Sequence, residues 1–259
     1  MIKLKTEKDL VFLRKSGKIL SSILNILASE AKEGVALIEL DLKARKLLKD
    51  AGAKAAFLDY RPAGAAKAYP AAICASVNDV IVHGLPNEYV LKSGDVLKID
   101  FGVNYSPRGG AGKGYFTDSA LTVGIGNISK EALHLIEATK NSLAEAIKVC
   151  KPGNHLGDIG FAIESVVKKE GFKVVHGLTG HGVGFKLHED PTILNYGKRG
   201  EGIMLTPGMV LAIEPMVAIG SSEIIQQKDD SFATADHSLS AHFEHTVAIT
   251  DNGTEILTF

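Results

Sequence analysis

Four acidic residues stand on matching apolar runs of this sequence. LKSGDVLKID ends on Asp100 and LTPGMVLAIE ends on Glu214, and the two align at an offset of 114 with Gly94 over Gly208 and Val96-Leu97 over Val210-Leu211. TDSALTV and FEHTVAI likewise set Asp118 on Glu244. Four ionised carboxylates sharing one cleft repel each other, and some must stay protonated unless cations compensate them. Two divalent cations cancel the fourfold charge and turn the repulsion into coordination, the arrangement of a two-metal hydrolytic site with ions about 3.5–4 Å apart. A single Asp after a strand reads as a surface acid; four in matching register read as metal ligands.

The segment GHGVGFKLHEDP supplies two histidines. His181 lies between Gly180 and Gly182, where the backbone can approach neighbours closely while the imidazole is presented inward, and this suggests a fifth ligand. His188 follows seven residues later, and His83 stands in SVNDVIVHGLP. Taken alone, each is as readily an ordinary loop or core residue. His176, His237, His242 and His245 read as structural.

These groups need elements to position them. Thr6 and Asp9 form a capping-box pattern, and Leu10, Leu13, Gly17, Leu20, Leu24 and Leu27 then recur at spacings of three and four, one stripe of a long amphipathic helix. A second helix is expected from Leu37 to Ala51, ending at Gly52, followed by loop and short strands through AAFLDYRPAGAAKAYPAAICASV. Helical spacing returns at 129–150 and again from Leu156 to Glu170. EGVALIELDLKARKLLKDAG and PGNHLGDIGFAIESVVKKEG align at an offset of 119, Gly34 on Gly153, Leu37 on Leu156 and Gly52 on Gly171. Three aligned pairs in one order imply an internal two-fold repeat, with halves of roughly 1–125 and 126–259 in a single domain spanning 1–259.

Composition sets the outer bounds. The 259 residues, 45% hydrophobic and 23% charged, can bury a substantial core and exclude disordered or collagen-like architecture. A net charge of -1 gives no reason to expect nonspecific nucleic-acid or anionic-membrane binding. Cys74 and Cys150 are too few for a disulfide framework and fit a reducing compartment, the cytoplasm. The N-terminal segment has no signal-peptide pattern, and no apolar run approaches the ~18 residues a membrane span needs.

SVNDVIVHGLP, LKSGDVLKIDFG, GHGVGFKLHEDP, MVLAIEPM and SLSAHFEHTVAITDNG together closely resemble the type I methionine aminopeptidases, over nearly the whole chain. That resemblance implies an α/β (α+β) pita-bread fold, in which two pseudo-symmetric halves share a curved antiparallel sheet backed by helices. It also implies a dinuclear metallopeptidase that removes the initiator Met from nascent polypeptides with a small second residue. Asp100, Asp118, His181, Glu214 and Glu244 are then the metal ligands, Asp118 and Glu244 bridging two ions. His83 lies near the scissile amide nitrogen, His188 stabilises the oxygen of the tetrahedral intermediate, and Glu214 relays the proton of the attacking water. Oxygen ligands with one imidazole suit Mn, Fe or Co, with Zn also admitted. The expected partner is the N-terminal peptide of a nascent chain, with a ribosome contact and a monomeric state. Xaa-Pro and broader aminopeptidases share GHGVG and the IEP strand, and a non-catalytic binder of the same fold is the alternative from another class.

Two departures from the family pattern stand out. Asp100 and Asp118 enclose FGVNYSPRGGAGKGYFT, longer than usual, with 106–115 reading as an extended hairpin. In the methionine side-chain pocket Tyr69 and Cys74 match, whereas Leu187 stands where the family carries an aromatic residue and Ala66 at a tyrosine position. The chain also has no Trp. The expectation is a looser pocket; the alternative is that Tyr69, Tyr60 or Phe57 moves in and restores the wall.

Overall fold

The computed structural model describes residues 1–61, 67–107 and 114–259. The chain begins with α1 (Glu7–Glu30) and α2 (Leu37–Asp50), then β1 (Lys54–Ala55), β2 (Ile73–Val77), β3 (Val80–Val82), β4 (Val96–Tyr105) and β5 (Tyr115–Gly124). It continues through α3 (Lys130–Val149), α4 (Leu156–Lys169), β6 (Lys173–Val174), β7 (Gly180–Gly182), β8 (Glu189–Ile193) and β9 (Val210–Ile213). It closes with β10 (Met216–Ala218), β11 (Ile224–Gln226), β12 (Phe232–Thr234), β13 (Ser240–His242), β14 (His245–Thr250) and β15 (Gly253–Ile256).

Local chemistry accounts for the helix boundaries. The Thr6 hydroxyl accepts the Asp9 N–H while the Asp9 carboxylate accepts the Thr6 N–H, so the capping box starts α1 where the sequence places it. Ser129 caps α3 by accepting the Ala132 N–H. Leu20, Leu24 and Leu27 of α1, with Leu37, Leu40, Ala44 and Leu48 of α2, pack on Leu97, Ile99 and Phe101 of β4. Leu135 and Leu143 of α3, with Ile159, Ile163 and Val167 of α4, pack on Leu211, Ile213 and Val247. Leu121 touches both cores. Among the described residues no helix is long and apolar enough to cross a membrane.

All strand pairs among the described residues are antiparallel. One sheet places β1 and β2 along one edge of β4 and β5 along the other; the largest has the order β15-β14-β9-β7-β8. The aligned segments behave alike: Gly34 and Gly153 both take φ 89°, and their amides donate to Leu91 and Leu205, respectively. Side chains alternate along a strand. With Leu97, Ile99 and Phe101 committed to the helical face, Lys98 and Asp100 point to the opposite face.

Candidate metal centre

Strand register brings the first two acids together. Asp100 lies opposite Ala120 and Gly102 opposite Asp118, so Asp100 and Asp118 are diagonal neighbours on one face of the β4–β5 pair. Glu244 follows β13; its amide donates to the Ala120 carbonyl at 2.9 Å, and its carbonyl accepts the Ser119 hydroxyl at 2.6 Å. Glu214 lies between β9 and β10, its carbonyl held by the Asn195 side-chain amide at 2.9 Å. His181, on β7, is paired with Ala212 of β9. A Cβ added at Gly180 would strike the Ala212 carbonyl and one at Gly182 the Asp190 carbonyl, so the flanking glycines permit the packing that carries His181 inward.

The five groups converge. Donor atoms of Asp118, His181 and Glu244 all lie within 4.8 Å of one another. His181 Nε2 is 3.9 Å from Asp118 Oδ2 and 3.5 Å from Glu214 Oε1. His181 Nδ1 is 2.9 Å from the Gly182 carbonyl, which can only accept, so Nδ1 carries the proton and the Nε2 lone pair faces the acids. Burial lowers the His181 pKa to about 4. Burial first, with neighbouring carboxylates second, pushes Glu214 and Glu244 well above the usual range; Asp100 is raised in the same way, and burial lifts Asp118 to about 7. Asp100 Oδ1 and Glu244 Oε1 are buried without a hydrogen-bond partner. Orphaned buried oxygens around a neutral imidazole are a donor set that fits hard to borderline divalent cations.

Beside the acids lies an aromatic wall. Tyr69, Cys74 and Leu187 belong to one apolar cluster with Ala56, Phe57, Tyr60 and Phe116, and Cys74 is the direct cross-strand partner of Asp100. The looser pocket was expected because Leu187 and Ala66 replace aromatic positions, but Phe57 and Tyr60 contribute rings from the loop before β2. Ala66 itself, like residues 108–113 of the expected hairpin, lies outside the described residues. His188 meets His181 edge to face at 4.4 Å between centroids, and its Nδ1 is 2.7 Å from the Tyr60 hydroxyl. Burial, with His181 and His83 as further causes, lowers His188 to about 3. His83 leaves β3 at φ 61°, its ring edge on to Phe232 at 5.8 Å, and burial lowers its pKa as well.

Of the four histidines read as structural, three sit away from the acids: His176 against Tyr196, His237 on Asp79 and His245 on Thr258. His242 is placed differently. It is wholly buried on β13, and its Nε2 lies 3.5 Å from Glu214 Oε2. Lys98, two residues before Asp100, also escaped notice: it is buried, donates to the Asn78 carbonyl at 2.6 Å, and is lowered by burial to about 7. The available signal was its position on the Asp100 face of a strand otherwise buried.

The model of metallopeptidase family M24 matches residues 12–251. A methionine aminopeptidase of Aquifex aeolicus is 45% identical, with 99% of this chain and 98% of that protein covered. Methionine aminopeptidase 1 of Bacillus subtilis is 42% identical over 100% of this chain and 99% of its own. The crystal structure of the Thermotoga maritima methionine aminopeptidase superposes with a TM-score of 0.93 at 38% identity, covering 100% of this chain and 99% of that one. The prolidase of Pyrococcus furiosus, at 23% identity and a TM-score of 0.77, covers 99% of this chain but only 65% of its own, and shares the fold alone. With its pita-bread architecture and full-length likeness to these enzymes, the chain belongs to metallopeptidase family M24 and, within it, to the methionine aminopeptidases.

Proposed function

We propose that Asp100, Asp118, His181, Glu214 and Glu244 would hold two divalent metal ions in an enzyme that removes the initiator Met from polypeptides whose second residue is small. The observation that carries this reading is the convergence of Asp118, Glu214 and Glu244 on one imidazole whose lone pair faces them, with Asp100 beside Asp118 on the same face of the β4–β5 pair. When bound, the ions supply Lewis-acid polarisation and lower the pKa of the attacking water. Mn, Fe, Co and Zn are the candidates.

The chain's own groups do the rest. The Glu214 carboxylate would take up the proton of the attacking water and return it to the leaving amine. The Tyr60 hydroxyl lies 2.7 Å from His188 Nδ1; when it donates there, the ring's proton stands on Nε2, from which it can stabilise the negative charge that develops on the carbonyl oxygen. His83 lies toward the scissile nitrogen. Tyr69, Cys74 and Leu187, with Phe57 and Tyr60 behind them, receive the methionine side chain and exclude water from it.

The chain works as one catalytic domain of two halves, roughly 1–125 and 126–259, as a monomer in the cytoplasm with access to nascent chains at the ribosome. Two buried, unpaired cysteines agree with a reducing compartment. A broader or Xaa-Pro aminopeptidase is the second reading, favoured only by the shared fold. Purified protein assayed on Met-Ala, Met-Val, Leu-Ala and Xaa-Pro peptides with each metal separates the two; preference for Leu-Ala or Xaa-Pro over Met-Ala would overturn the first.

A further inference from the structure

His242 has no hydrogen-bond partner at either ring nitrogen, although it is completely buried. An imidazole carries at least one N–H in every protonation state, and a buried N–H left unpaired is costly. The acceptor that faces it is Glu214 Oε2, 3.5 Å from Nε2, while Glu214 Oε1 lies 3.5 Å from His181 Nε2. Each oxygen of this carboxylate therefore meets a different imidazole. The backbones on both sides are tied down. The Thr122 hydroxyl accepts the His242 N–H at 2.9 Å and donates to the His242 carbonyl at 2.6 Å, and Asn195 holds the Glu214 carbonyl.

We propose that His242 is a positioning residue for Glu214: its Nε2–H holds Oε2 and so turns Oε1 toward His181, fixing the one carboxylate oxygen available as a ligand. This rests on the assignment of Glu214 as a metal ligand. Groups that orient a ligating side chain contribute to affinity without touching the metal, typically about 10–100-fold. Nothing in the role requires His242 to change protonation; it requires only an N–H at the Nε2 position.

The test is calorimetric titration of the metal-free protein with Mn²⁺ alone. His242→Leu and His242→Asn should each weaken binding by about 10–100-fold, since neither places an N–H at the Nε2 position, whereas His242→Gln, whose amide does, should recover most of the loss. In a Glu214→Ala background, His242→Leu should cause little further change. Should the Leu variant fail to fold, the Asn and Gln pair decides alone. Wild-type affinity in the Leu and Asn variants, a Gln variant as weak as Asn, or an undiminished effect of Leu without Glu214 would overturn the proposal. If Glu214→Ala weakens binding and His242→Leu does not, only the positioning role fails. If Glu214→Ala binds Mn²⁺ as the parent does, the ligand assignment falls and the positioning role with it.

Discussion

The Thr246 hydroxyl occupies both backbone hydrogen-bonding positions of Asp118, accepting its N–H at 2.9 Å and donating to its carbonyl at 2.7 Å. Thr122 does the same for His242 from the other side, and Ser119 adds a bond to the Glu244 carbonyl. Hydroxyls thus stitch β5 to the 242–246 segment, and the stitching sets Asp118 beside Glu244.

Thr246→Val should leave a buried N–H and a buried carbonyl of Asp118 unpaired, a loss of ~1–3 kcal/mol for each group. A urea titration should show a lower midpoint, and Mn²⁺ binding should weaken with it. Thr246→Ser, which keeps the hydroxyl, should stay near the parent in both. A valine variant equal to the parent would show that the seam does not position the acid.

Removing the metal should abolish peptidase activity and lower Tm, because a ligand that binds only the folded state stabilises it by ~2.7 kcal/mol at a hundredfold excess over Kd. A verified metal-free sample that keeps its turnover and its melting temperature would contradict the ligand set.

The metal contribution should also depend on pH. In the metal-free fold Asp118 is raised from 3.8 to about 7 by burial, so the folded state binds protons there more tightly than the unfolded chain, and stability falls as pH rises through that interval. Asp100, Glu214 and Glu244 have the same sign. His181, lowered from 6.5 to about 4, acts oppositely: its contribution is complete above 6.5 and is lost as pH falls through 4. Above about pH 6.5 the His181 contribution is complete and, within the ligand set, the carboxylate loss remains, while metal binding favours ionised ligands. The rise in Tm given by Mn²⁺ should therefore widen from about pH 6.5 to about pH 8. Scanning calorimetry at several pH values, with and without Mn²⁺, checks this; a constant or shrinking increment counts against it.

Glu214→Gln should lose most turnover, since an amide neither accepts the proton nor carries charge. His188→Ala should retain its metal and slow hydrolysis by ~10²–10³-fold, the usual effect of removing one oxyanion donor. Tyr60→Phe should also lower kcat, because His188 then lacks the hydrogen-bond partner that holds its ring at Nδ1. Metal loss in His188→Ala equal to that in His181→Ala would refute this division between the two histidines.

Selectivity should depend on the rings packed around Cys74. Phe57→Ala or Tyr69→Ala should lower the Met-to-Leu ratio of kcat/KM, since a misfit of one methylene in an apolar pocket is worth ~1–3 kcal/mol. Competition between Met-Ala-Ser and Leu-Ala-Ser peptides measures the ratio. An unchanged ratio in both variants would remove these rings from the specificity wall.

The acids were legible because carboxylates recur at matching positions of aligned apolar runs, Asp100 with Glu214 and Asp118 with Glu244, although Asp100 and Asp118 stand within β4 and β5 and not at strand ends, and His181 because glycines flank it. The four helices were legible because capping residues and leucine spacing are local signals. The partner of His188 was not, since Tyr60 is 128 positions away and pairing across that distance leaves no mark in either neighbourhood. The approach of His242 to Glu214 was not legible for a related reason: a lone histidine on a three-residue strand has the pattern of a core residue, and only packing sets it against Glu214. The aromatic wall was legible only as alternatives, Leu187 and Ala66 pointing to a looser pocket and Tyr69, Tyr60 and Phe57 to a restored one, and packing sets these three rings around Cys74.

The hydroxyl seam also sets a schedule. Its bonds join residues 120 to 128 positions apart, so nothing in the first 125 residues can complete the acid cluster by itself. During vectorial synthesis the β4–β5 pair can form early, with two of its acids crowded and uncompensated, and must wait while more than a hundred further residues are made. A chain interrupted before Glu244 therefore lacks one carboxylate of the proposed centre, and on that assignment activity should appear only once this residue is in place.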